Sequence, residues 1–466
     1  MEKRWKVLTI TSVGLFMASL DLFIVNIAFP DLALDFGGAS LSSLSWILNA
    51  YAIVFAALLV PAGRIADRVG RKRVFVLGLL LFSAASALCA AAPSIPFLVA
   101  ARVLQAAGGA MMLPTTLGLI LPAFPAEQRP LAIGIWSAVG GVAAALGPPI
   151  GGILVQLDWR WIFVVNVPIG IVTAIVAIRG LDEVREPEDG RPDLLGAAEL
   201  ALGIGLLTLG IVKGTDWGWA DPRTLGSFAA AVALVVAFVV RSAHHHAPVI
   251  ELPLLRVRSF ALANLAAAVF FAGFGAMLLS GVLLLTEVWG YSALKAGFAL
   301  SPGPLMAAAF AIPSGRLGAR IGQRPVAAAG GLAFAASFGY ILATVGPTPE
   351  YLTTFLPGFM LGGAGVGMTL GTLPAAATAA LPPQRFATGT AVFGMARQLG
   401  SAIGVAVLVA LLESGGSLLD GLQRGWAFAL GTGLGAAALA LAFGPVGVPA
   451  PRSAPEPAPT PQRSAA

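Results

Sequence analysis

"ASLDLFIVNIAFP", residues 18–30, decides how this chain is read. An aspartate, Asp21, stands inside an apolar run that extends from Leu8 to Pro30. A helix needs about 20 such residues to cross the hydrocarbon of a bilayer. An ionised side chain at that depth costs at least about 2.5–3.5 kcal/mol, so intramembrane charges pair with one another or face water. Asp21 is therefore either a structural ion or a working one, provided the rest of the chain also lies in lipid.

It does. Hydrophobic residues make up 58% of the 466 and charged residues 11%, where a soluble domain carries about 25% charged. Apolar runs near the spanning length occupy 8–29, 44–63, 74–92, 97–120, 130–155, 161–179, 194–213, 225–241, 260–286, 296–314, 325–345, 352–372, 389–412 and 427–445. Barrel strands would alternate polar and apolar residues over about ten positions, which these runs do not. The expectation is an all-α integral membrane protein with 14 transmembrane helices.

Of the 28 Lys and Arg, 21 fall in one alternating set of loops and termini, five in the other, and Arg102 and Arg397 within spans. By the positive-inside rule both ends face the cytoplasm, and a plasma (inner) membrane, multi-pass placement follows as an expectation. The net charge of +6 does not point to nucleic acid, because the basic residues are scattered through short loops. The "MEKRWKVLTI" start shows no cleavage site of the A-x-A kind, so no cleaved signal peptide is expected. Connections such as 180–193 and 242–259 are too short to fold into a catalytic domain, which argues against an enzyme. The lone Cys89 has no partner for an internal disulfide and reads as core.

"GRIADRVGRK" from Gly63 recurs as "GRLGARIGQR" from Gly315, matching at Gly63/Gly315, Arg64/Arg316, Arg68/Arg320 and Gly70/Gly322. The copies follow the second and tenth spans. Helices 1–6 and 9–14 then form two parallel six-helix repeats, and helices 7–8 an inserted pair. The divisions are 1–180 for the N-terminal half, 181–258 for the insert and its linkers, 259–446 for the C-terminal half, and 447–466 for a Pro- and Ala-rich tail expected to be disordered.

Six stretches in order carry a family resemblance. "LDLFIVNIAFP" (20–30) resembles the first-helix signature of the fourteen-helix drug:proton antiporters of the major facilitator superfamily, with Phe23 where threonine is usual. "GRIADRVGRKR" (63–73), "RVLQAAGGA" (102–110), "GGVAAALGPPIGG" (140–152), "WRWIFVVNVPIG" (159–170) and "RQLGSAIGVAV" (397–407) are similar to further motifs of that family. The resemblance implies proton-coupled export of lipophilic drugs by alternating access. It implies no cofactor beyond the coupling proton, a lipophilic small-molecule substrate, the lipid bilayer as partner, and a functional monomer.

Candidate residues follow from position. Asp21 lies about 12 Å and Arg102 about 10 Å below the same face at 1.5 Å per residue, which predicts that they are neighbours. Such a pair is either a permanent tie between helices 1 and 4 or a proton-coupling site; the resemblance favours coupling. Gly63, Asp67, Arg68, Gly70 and Arg71 read as a cytoplasmic gate, with Asp67 able to accept from a helix N-terminus or from an arginine across the boundary between halves. Gly140, Gly147, Pro148, Gly151 and Gly152 read as a hinge in helix 5: prolines remove backbone donors, and small residues let helices approach. Asn26, Trp46, Asn49, Tyr51, Gln105 and Arg397 are candidates for the substrate cavity. For Arg397, holding backbone carbonyls and holding an anionic group on the substrate both remain open. Glu199 reads as lipid-edge or snorkelling, and Glu287 and Glu413 as wetted helix ends. His244–His246 read as a solvated loop, and no metal site is expected. A neutral or monocationic lipophilic substrate fits the scarcity of deep acids. The alternatives are an uptake symporter for a small metabolite on the same fold or, more remotely, a non-transporting membrane sensor or a membrane enzyme.

Overall fold

The computed structural model describes residues 2–125, 128–185, 192–379, 381 and 385–443; the tail at 447–466 lies outside them. Among the described residues there is no strand. The first half holds α1 (Lys3–Ile27), α2 (Leu41–Val69), α3 (Arg71–Ala90), α4 (Ile95–Ala123), α5 (Arg129–Val155) and α6 (Asn166–Gly180). The insert holds α7 (Leu194–Trp217) and α8 (Pro222–His244). The second half holds α9 (Arg258–Leu283), α10 (Pro302–Ile321), α11 (Gln323–Thr344), α12 (Leu356–Thr378), α13 (Phe386–Glu413) and α14 (Leu418–Leu441). A short helix, Ala293–Ala299, leads into α10.

Thirteen of these stretches are long and apolar enough to cross a membrane. The exception is α14, 24 residues long, whose leucines and alanines are diluted by Asp420, Arg424 and five glycines. It nevertheless packs against α9, α11 and α13 as an integral member of the bundle. Lipid replaces the missing partners elsewhere. On α8, Val232, Val236 and Val240 point outward once per turn, each more than half exposed.

Packing makes the repeat explicit. In the first half α1 lies on α5, α2 on α4, α3 on α4 and α3 on α6. Their counterparts in the second half, α9 on α13, α10 on α12, α11 on α12 and α11 on α14, pair in the same way. The repeated loops match in backbone as well: α2 passes to α3 through Gly70 at φ 128°, and α10 to α11 through Gly322 at φ 95°. Side chains with a Cβ rarely adopt that region, which explains why both copies keep glycine there.

The two halves meet along two seams, α2 against α13 and α5 against α10 with its lead-in helix. The inserted pair is not peripheral to this arrangement. α7 lies on both α2 and α13, with Ala201 and Ile204 over Ala52, Ile53 and Ala402. It covers one seam and leaves the other uncovered by the insert.

For orientation, the membrane face carrying Lys3, the repeated loops and the α6–α7 linker is called the basic face. The opposite one is the far face. An ion pair between Lys3 and Asp182 ties the start of the chain to that linker.

Candidate functional site

Asp21 and Arg102 meet in the core of the first half. Arg102 Nη1 donates to Asp21 Oδ2 at 2.5 Å, and both side chains have zero exposure. Gln105, one helical turn from Arg102 on α4, donates from Nε2 to Asp21 Oδ1 at 2.8 Å and accepts from Arg102 Nη1 at 2.5 Å. Asn166 at the start of α6 adds a third donor to Asp21 Oδ1, at 3.2 Å. Arg102 also donates from Nε to the Ile47 carbonyl at 3.2 Å and lies over the Tyr51 ring, 4.2 Å from its centroid. Gln105 reaches Ser86 on α3 at 2.8 Å. One carboxylate thus ties together α1, α4 and α6, with α2 and α3 as the surrounding wall.

This geometry moves two candidates. Gln105 and Tyr51, expected in the substrate cavity, are consumed by the ion pair, with Gln105 fully buried and Tyr51 2% exposed. A partner-seeking amide one turn from an intramembrane arginine was the available signal for Gln105. Asn166 and Ser86 had none beyond lying in apolar runs. Asn26 turns back to the Leu22 carbonyl of its own helix, Nδ2 to O 3.1 Å. Trp46 is half-buried. Asn49 is fully buried, and neither of its amide atoms has a partner.

At the basic face, Asp67 accepts from Arg71 Nε at 2.6 Å, and Arg71 Nη1 donates to the Gly118 carbonyl at the end of α4, 2.9 Å. The α6–α7 linker closes over the same turn. Glu183 accepts from the Lys72 amide at 3.0 Å, placing a carboxylate at the N-terminus of α3, and a Cβ on Gly70 would overlap it. Arg68, read from the sequence as part of the gate, is exposed and takes part in no ion pair among the described residues. Among the described residues, a charged contact that joins the halves is made by Glu251, a residue the sequence did not single out. It lies just after the insert and is paired with Arg64 of the first half at 3.4 Å and with Arg385 of the second. A cavity of about 430 Å³ opens beside it, lined by Arg64, His245, His246, Pro253 and Arg385. His245 accepts from the Ala247 amide, 3.1 Å. Among the described residues no cluster of ligating side chains could hold a metal.

The glycines of α5 do what small residues permit, on two sides. A Cβ on Gly147 would fall 2.6 Å from Phe23, and one on Gly151 3.0 Å from Ile24, both on α1. A Cβ on Gly152 would fall 2.6 Å from the Ala293 carbonyl in the other half. Gly140 is in ordinary contact with Leu15. The helix runs unbroken through Pro148 and Pro149. Pro148 instead presents its carbonyl to Gly297, close enough that no side chain fits between.

At the far face, Glu413 at the end of α13 accepts from the Ser42 amide at the start of α2, 3.0 Å, and its other carboxylate oxygen is buried without a partner. It seals the α2–α13 seam and is not the wetted helix end expected. Asp35, after α1, accepts from the Trp159 indole at 2.9 Å and from Arg160 at 3.0 Å. The indole bond, helped by the arginine, holds its carboxyl below the usual range. Asp31, four residues earlier, is pushed the other way, first by burial and then by the like charges of Glu287 and Asp158.

Arg397 stands apart from all of these. It is half-buried within α13, its guanidinium 5.7 Å from the Phe271 ring centroid on α9, and it forms no ion pair among the described residues. Glu199 on α7 is not bonded to it, and one Glu199 oxygen is buried without a partner.

Comparisons agree with this architecture. The family model described as Major Facilitator Superfamily matches residues 11–283 and 265–465. A probable actinorhodin transporter of Streptomyces coelicolor is 35% identical over 441 residues, covering 91% of this chain and 76% of that protein. The multidrug resistance protein Stp of Mycobacterium tuberculosis is 33% identical, covering 87% and 75%. The tetracenomycin C resistance and export protein of Streptomyces glaucescens is 32% identical, covering 88% and 76%. A solved bacterial homologue of the human lysosomal transporter Spinster, in an inward-facing and unoccupied conformation, aligns with a TM-score of 0.65 at 18% identity over 95% of this chain and 97% of its own. That last likeness speaks for the fold alone. With two parallel six-helix repeats, an inserted pair and a match along almost its whole length, this multi-pass membrane protein is a transporter, not an enzyme, and belongs to the major facilitator superfamily.

Proposed function

We propose that the chain exports lipophilic drugs or antibiotics in exchange for protons, by alternating access between its two halves. The observation that carries this reading is the Asp21 carboxylate. It has zero exposure and three side-chain donors drawn from α4 and α6. An ion pair serving only as a tie needs one partner. A carboxylate whose donors arrive on separate helices changes its proton affinity when those helices part and water enters. Three relatives named for antibiotic or multidrug transport, resistance or export support the substrate side of the reading.

In this scheme the basic face is cytoplasmic, as the Lys and Arg bias predicts, and the protein lies in the plasma (inner) membrane with both ends inside. Glu251 bridging Arg64 and Arg385 closes the cytoplasmic mouth, and Glu413 on α2 closes the external one. The two contacts cannot both persist while the halves rock. The proton is the only coupling species required, and a single chain contains both halves.

The test is uptake of a fluorescent drug into everted vesicles with an acid lumen, comparing the native chain with Asp21→Asn. The native chain should accumulate drug in proportion to the imposed gradient, and the variant should reach the membrane but not respond to it. Gradient-driven accumulation by Asp21→Asn with an unchanged pH profile would refute the assignment.

A further inference from the structure

The two intramembrane arginines stand in opposite circumstances. Arg102 is fully buried and bonded to Asp21, Gln105 and the Ile47 carbonyl. Arg397 has no carboxylate within ion-pair distance and no hydrogen bond to any described residue, yet it is only half-buried. It sits 11 residues into α13 and 16 from its far end, some 17 and 24 Å by helical rise, so it cannot snorkel to either face.

Its surroundings are fixed by register. α13 and α2 run antiparallel along their seam, with Gly394 against Leu59, Ala402 beside Ala52 and Ile53, and Glu413 on Ser42. Arg397 is therefore level with the stretch of α2 around Ala57, deeper than the external seal and above the cytoplasmic gate. Its guanidinium approaches Phe271, which continues to Phe274 at 5.5 Å between centroids. Phe274 in turn meets Phe23 of α1 edge-on at 6.4 Å, across the boundary between halves. A cation at mid-depth thus stands at one end of an aromatic row that joins the two halves. The acid at comparable depth on α7, Glu199, is not paired with it, and Asp21 is held by its own three donors.

An unpaired guanidinium at mid-depth in the membrane is expensive, and membrane proteins retain such a group where it faces water or something neutralises it. The planar fork suits a carboxylate, an enolate or a phenolate, and the neighbouring rings suit a flat aromatic body. We propose that Arg397 binds the anionic group of a planar aromatic weak acid, whose ring system lies along Phe271, Phe274 and Phe23. This deepens the exporter reading and rests on it. It replaces the neutral or monocationic substrate expected from composition with an anionic one. Proton exchange then has a clear use, since an imposed inward proton gradient drives the acid out against its own tendency to accumulate.

The test uses the full chain in nanodiscs and in everted vesicles, with three probes: 1-hydroxy-2-naphthoate, its methyl ester, and the monocation ethidium. The native chain should bind the acid roughly ten- to a hundred-fold more tightly than the ester, the range of a charge-assisted contact. Arg397→Gln should abolish that ratio while leaving ester binding within about twofold, and Arg397→Lys should retain part of it. Equal binding of acid and ester by the native chain, preference for ethidium, or equal loss of both probes in Arg397→Gln would each overturn the proposal. A native ratio near one overturns the proposal even if neither variant folds. Charge-selective binding without gradient-driven uptake of any probe would support the site and refute the exporter reading. Gradient-driven uptake of ethidium alone would do the reverse.

Discussion

Replacing Arg102 by methionine keeps much of the side chain's length and removes its charge. The Asp21 carboxylate would then remain at zero exposure with only Gln105 and Asn166 as donors, at 2.8 and 3.2 Å. Removing one partner of a buried ion pair costs about 3–5 kcal/mol, because the survivor is left charged and dry. Asp21→Asn strands Arg102 in turn, with the Ile47 carbonyl, Gln105 and the Tyr51 ring for company, and belongs in the same range. The double variant strands neither charge. Its loss should be closer to that of a few neutral hydrogen bonds, about 1–3 kcal/mol. The two changes are therefore expected to couple by at least about 3 kcal/mol. The assay is reversible unfolding in dodecylmaltoside micelles titrated with SDS, followed by circular dichroism, for all four corners of the cycle. A coupling below about 0.5 kcal/mol, the scatter expected of independent sites, would mean that the pair does not hold the first half together and that the reasoning fails.

Four further outcomes follow from the same contacts. Glu251→Gln should loosen the proposed seal at the basic face, raising thiol labelling of cysteines placed at that mouth by about twofold to fivefold, since a partly exposed pair contributes up to about 1 kcal/mol; unchanged labelling would remove Glu251 from the gate. Glu413→Ala should cost about 1 kcal/mol, as the loss of an N-terminal acceptor does, and increase labelling at the opposite mouth, with an unaltered pattern counting against the seal. Gly152→Val should abolish transport while Gly140→Ala should not, because only the former places new atoms against the Ala293 carbonyl; equal activity in drug-resistance assays would refute the close seam. Asp31, raised by burial, binds protons more readily folded than unfolded, so its contribution to stability is fully present at acid pH and is lost as pH rises through its folded pKa. Asp31→Asn should flatten that part of the stability–pH curve between the ordinary carboxylate range and neutrality, and a curve unchanged from the native one would exclude it.

The architecture was legible because lipid imposes a length and an apolar composition on every crossing, and the recurring Gly63 and Gly315 loops disclosed the duplication. The Asp21–Arg102 contact was legible for a related reason: with so few charges in the spans, equal depth nearly determines who meets whom. The rest of the network was not. Asn166, Ser86 and Gln105 are polar but uncharged, and a neutral residue in an apolar run carries no depth signal that names its partner. Glu251 and Glu413 were missed for the opposite reason. They lie at helix ends and linkers, where a carboxylate normally meets water, and only the fold reveals that these two join halves distant in sequence.

The placement of α7 has a bearing on how an oily molecule gets in. A transporter with two equivalent clefts could admit membrane-dissolved cargo from either flank. Here one flank is boarded over by the insert, so under the export proposal lateral entry from the leaflet would be confined to the side where α5 meets α10. That is also where glycines and a proline carbonyl press the halves together most tightly. Under that proposal, entry and the close approach of the halves would share one seam.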